Sequence, residues 1–103
     1  MSKPVIWSRD ALDEMKTILR RIAKDDEKAA RSVVARIRET GDRLGVRAIG
    51  RNGRVAGTYE KPVTGLPYII AYEIGPAGGG EAICILRVIH MARDWKPGKW
   101  PPA

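Results

Sequence analysis

EAICILRVIHMARDW occupies residues 81–95. Its first half, Ile83-Cys84-Ile85-Leu86, is apolar at consecutive positions, so both faces of an extended segment are buried there, as in a strand at the centre of a sheet. The segment does not end with its apolar run. It continues through Arg87, Val88 and Ile89 into His90, Arg93, Asp94 and Trp95, placing the chain's single histidine at the end of its best-buried element. Strand ends on a rigid scaffold are common places for functional groups.

Working back from that strand, Tyr68, Ile70, Tyr72 and Ile74 alternate with Ile69, Ala71 and Glu73. This period of two predicts a second strand, followed by a turn through Gly75-Pro76-Ala77-Gly78-Gly79-Gly80. Before it, Val55, Gly57 and Tyr59 alternate with Arg54, Ala56, Thr58 and Glu60, which predicts a half-buried strand ending at Pro62. Three strands with short connections form an antiparallel meander. Val5-Ile6-Trp7 predicts a short first strand, with Ser8 or Asp10 as a helix cap. Leu12, Met15, Ile18, Leu19 and Ile22 then fall on one helical stripe. After the break at Asp25-Asp26, Ala30, Val33, Val34, Ile37 and Leu44 form a second stripe, with Gly45 as its stop. Two amphipathic helices joined by so short a turn make a hairpin. The expected fold class is α+β: a two-helix hairpin on one face of a small, mainly antiparallel sheet built from a short N-terminal strand and the three-stranded meander. The expected organisation is a single domain over residues 1–95 and a tail rich in Pro, Trp and Lys over 96–103.

A chain of 103 residues, 44% of them hydrophobic, suffices for one modest core. Its apolar runs are far shorter than the roughly 20 residues needed to cross a bilayer, so a soluble cytoplasmic protein is expected. One cysteine and one histidine fall short of the roughly four ligands of a structural zinc site, so no metal or other cofactor is expected. The net charge of +7 favours polyanionic partners, whether nucleic acid, nucleoprotein or acidic protein. The excess is concentrated in residues 36–61 and 87–103. Arg31, Arg36, Arg38 and Arg43 are spread around the second helix and read as solvated. The basic, glycine-rich run from Arg47 to Arg54 lacks a GxxxxGK[ST] phosphate loop and reads as a solvated connector. Arg87 reads as pairing with Glu73 or Glu60 on neighbouring strands. In the tail, Trp95, Lys96, Lys99 and Trp100 combine contact area with positive charge. Either they meet a target or the tryptophans fold back over the core, and the residues alone leave both open.

Taken in order, the opening VIWS, the helix pair, YIIAYEI and ILRVIHMARDW resemble the RelE/ParE superfamily of toxins from bacterial type II toxin–antitoxin modules. The resemblance implies one of two activities. RelE-like members cleave mRNA on the ribosome, which requires several basic or titratable groups converging on one phosphate. ParE-like members poison DNA gyrase by binding. Where the RelE-like pattern carries an arginine, this chain has Ile69; Arg93 matches the arginine after the last strand; and Trp95 stands near the usual terminal tyrosine. An indole N–H donates a hydrogen bond but is no useful acid or base. The expectation is therefore a ParE-like gyrase inhibitor that is not an enzyme, neutralised by a ParD-like antitoxin. The alternative is a ribosome-dependent mRNA endonuclease using Arg54, His90 and Arg93. By the same resemblance, Tyr59, Tyr68, Tyr72, Arg87 and Arg93 are expected to meet the antitoxin, and His90, Trp95, Lys96, Lys99 and Trp100 the target.

Overall fold

Ser8 joins three elements at once. Its hydroxyl accepts the Ala11 N–H at 3.0 Å and donates to the Leu86 carbonyl at 2.7 Å, so the residue that caps the first helix is tied to the central strand. The computed structural model describes residues 2–92. In chain order these form β1 (Val5–Trp7), α1 (Arg9–Ala23), α2 (Glu27–Arg43), β2 (Arg51–Asn52), β3 (Tyr59–Pro62), β4 (Tyr68–Ala77) and β5 (Gly80–His90). The strands make one sheet of order β1-β5-β4-β3-β2. β1 runs parallel to β5, and the other neighbours are antiparallel. The helical hairpin covers one face, as the α+β reading anticipates.

The main core lies between the hairpin and that face. Ala11, Met15 and Ile18 of α1 and Ile37 of α2 pack with Tyr68, Ile70 and Tyr72 of β4 and Ile83, Ile85 and Val88 of β5. Leu12, assigned to the helical stripe by spacing, is 38% exposed, and Ala11 is buried in its place. On the opposite face Ala71 and Ile89 form a smaller cluster with Val55 and Leu86.

One strand is shorter than its alternation predicts. Residues 53–58 turn instead of extending: the Gly53 N–H donates to the Thr58 carbonyl at 2.8 Å, and the Thr58 hydroxyl donates to the Val55 carbonyl at 2.6 Å. Gly57, with φ of 84°, supplies the left-handed residue this turn needs. The basic run read as a plain connector therefore contributes β2, a two-residue edge strand in register with Tyr59 and Glu60.

Candidate functional site

β5 changes face partway along its length. Ile83, Ile85 and Val88 all belong to the helix-side core, which strict alternation forbids. The register shift between Ala71 and Tyr72, which leaves Leu86 without a direct partner, resolves the conflict as a β-bulge. There the Arg87 guanidinium reaches α1: its Nε and Nη2 donate to Glu14 Oε2 at 2.8 and 2.6 Å, and the Val88 N–H donates to Glu14 Oε1 at 2.9 Å. The expected pairing with Glu73 or Glu60 is thus corrected to Glu14, whose carboxylate takes both the Arg87 guanidinium and the Val88 N–H beside the bulge. Glu14 was legible in one respect. It follows Ala11 by three and precedes Ile18 by four, so it lies on the buried side of α1, where a carboxylate needs a partner.

Beyond the bulge, β5 ends at a cleft of about 260 Å³ lined by Glu14, Arg21, Tyr68, Arg87 and His90 among others. The His90 ring meets Tyr68 edge-on with centroids 5.2 Å apart, and Arg21 Nη2 lies 3.4 Å from the Tyr68 hydroxyl. His90 Nδ1 accepts the Ala92 N–H at 3.0 Å, so in the neutral ring the proton sits on Nε2.

Arg54 is committed elsewhere. Its backbone N–H and its Nε both donate to Glu60 Oε2 at 2.9 Å, and Arg51 lies 3.9 Å from the same carboxylate. Burial pushes the Glu60 carboxyl up, but hydrogen bonds from the Arg54 side chain and backbone, with the charges of Arg54 and Arg51, hold it below its ordinary value. Glu60 is in register with Ala71, on the face away from the helices, whereas His90 is in register with Tyr68, on the helix side. Arg54 and His90 therefore occupy opposite faces of the sheet and share no site.

Of the tyrosines expected to meet the antitoxin, two are buried. Tyr68 and Tyr72 are 4% and 1% exposed and belong to the helix-side core. Tyr59 is half-buried and stacks on Tyr72 with centroids 5.5 Å apart. They face the helices because the period of two that was read correctly in β4 sends its large aromatics inward, where area burial is greatest. Arg93, Trp95, Lys96, Lys99 and Trp100 lie outside the described residues. Among the described residues no group of His, Cys, Asp and Glu is arranged to hold a metal, and no helix is long and apolar enough to cross a membrane.

A helical hairpin on one face of a sheet whose short first strand runs parallel to the last is the fold of the RelE/ParE toxin superfamily. Two solved structures share it: one from a chromosomal ParDE system of P. aeruginosa, with a TM-score of 0.75 at 22% identity, covering 86% of this chain and 96% of that one, and a YoeB/ParE toxin from Agrobacterium tumefaciens, with a TM-score of 0.56 at 12% identity, covering 84% and 97%. At these identities they speak to the fold alone. The family follows from sequence. The model of the ParE toxin of type II toxin–antitoxin systems matches residues 5–95, and the chain belongs to that family. It is also similar to Y4kP, named as a candidate toxin of Sinorhizobium fredii, with 38% identity over 94 residues, 90% of this chain and 93% of that protein.

Proposed function

We propose that this ParE-family chain acts by binding: it inhibits DNA gyrase without covalent chemistry of its own and is held inactive by a ParD-like antitoxin. The observation that carries this reading is that Arg54 and His90, two of the residues an endonuclease here would use, lie on opposite faces of the sheet. RNA cleavage requires groups that converge on one phosphate, activating the 2′-hydroxyl, stabilising developing charge and protonating the leaving oxygen. Here Arg54 is held by Glu60 on one face, and His90, whose Nδ1 accepts the Ala92 N–H, lies on the other. Where the RelE-like pattern places an arginine, Ile69 is 4% exposed and in register with Ile89. Kinship with ParE toxins and the shared fold with a ParDE component support the antitoxin half of the reading.

Induced expression of the full chain without an antitoxin tests the proposal. The expected outcome is chromosomal DNA breaks and filamentation with transcripts intact, and inhibition of supercoiling when purified toxin is added to gyrase. Rapid cleavage of ribosome-bound mRNA without DNA damage would replace gyrase with the ribosome as target.

A further inference from the structure

At the C-terminal end of α2 the chain leaves apolar side chains in the open. Val46 is 76% exposed and Ile49 49% exposed, although both are aliphatic and lie three residues apart. They are not scattered surface residues. Together with Leu44, which is 2% exposed and forms the floor, they line a groove of about 500 Å³ between the end of α2 and β3. Contiguous exposed apolar surface of this kind marks a contact site more often than an accident of composition.

The polar part of the groove is cationic. Arg43, Arg47 and Lys61 line it, and no carboxylate does among the described residues. Arg43 is paired with Glu39 at 2.8 Å, whereas Arg47 and Lys61 make no ion pair among the described residues. Among the described residues the groove also has no aromatic ring. Stacking surfaces for unpaired bases depend on such rings, and a nucleic-acid backbone gains little from two exposed aliphatic side chains. A polypeptide with apolar residues on one side and carboxylates on the other satisfies both halves of the surface.

We infer that this groove is the docking site for an acidic amphipathic segment of the antitoxin, an assignment that rests on the toxin–antitoxin reading above. The segment seats its apolar side chains on Leu44, Val46 and Ile49 and its carboxylates against Arg47 and Lys61. Of the tyrosines expected to meet the antitoxin, Tyr68 and Tyr72 are buried within the toxin itself.

The test uses the full chain and, as probe, the small protein encoded by the reading frame adjoining its own, with affinity measured by calorimetry. Val46→Asp and Ile49→Asp change exposed positions and keep the fold, which a thermal denaturation scan verifies. Each is expected to weaken binding by about tenfold or more. The pair Arg47→Glu and Lys61→Glu is expected to do the same, while Arg20→Glu on α1 leaves affinity unchanged. Unaltered affinity in the groove variants, with the unmodified chain binding, would overturn the groove assignment alone. Failure of the unmodified chain to bind would overturn the antitoxin reading and this occupant with it. A short duplex DNA and poly(U) serve as competing probes. Binding of either that is abolished by the charge reversals but indifferent to Val46→Asp would assign the groove to nucleic acid and overturn the proposal.

Discussion

Glu14 and Glu60 are two carboxylates, one half-buried and one buried, that each hold an arginine. The Glu14 and Arg87 side chains are 21% and 15% exposed, and the carboxylate also accepts the Val88 N–H at the bulge. Removing the Glu14 carboxylate takes away the acceptor of both the Arg87 guanidinium and the Val88 N–H. Glu14→Ala is expected to lower stability by about 2–4 kcal/mol, read from urea unfolding; an unchanged midpoint would show that the pair is not needed. Glu60 sets a pH dependence. Its carboxyl is held below the ordinary value of 4.5, so the folded protein binds that proton less readily than the unfolded chain. The stabilisation is therefore present in full above the ordinary value and is lost as pH falls below it toward the folded value. Glu60→Gln is expected to lower stability at neutral pH and to flatten its decline as pH falls below the ordinary carboxylate value, measured by unfolding across the acid range.

Among the elements, α2 shows packing overruling local preference. Gly41 lies in its last turns, where glycine is about 1 kcal/mol less favourable than alanine. A methyl group there would overlap the Trp7 ring and the Ile85 side chain. Trp7 is fixed in that position by a hydrogen bond from its Nε1–H to Asp42 Oδ1 at 3.0 Å and by the Arg38 guanidinium 5.5 Å from its ring centroid. Gly41→Ala is thus expected to destabilise by about 1–3 kcal/mol despite the gain in helix propensity. Gly75 in β4 is the control, since a methyl there would meet no atom within 4 Å. Gly75→Ala is expected to be neutral or to stabilise by a few tenths of a kcal/mol. If thermal unfolding shows equal shifts for both, close approach at Gly41 is not what selects glycine.

At the scale of the whole molecule, the net charge of +7 steers acidic partners before any contact forms. Association with an acidic antitoxin is accordingly expected to slow by about tenfold between low and high salt, with a smaller change in dissociation; a rate independent of salt, measured by stopped-flow, would mean that the charge plays no steering role. The sequence by itself determined the elements whose signal is local. The stripes of α1 and α2, the Ser8 cap, and strands β4 and β5 follow from periods that each segment carries within itself. The alternation from Val55 to Tyr59 carried the same signal and misled, because Gly57 could enter a turn that period alone does not register. Tertiary structure alone decided which side chains share a face. Leu86 shifts the register of β5, and Arg87 then meets Glu14 across 73 positions of sequence. The same cross-strand pairing separates Arg54 from His90, and the segment between α2 and β2 leaves Val46 and Ile49 open beside Arg47 and Lys61. Register and bulges are set by hydrogen bonding between strands, so no single segment contains the information that assembles or divides a site.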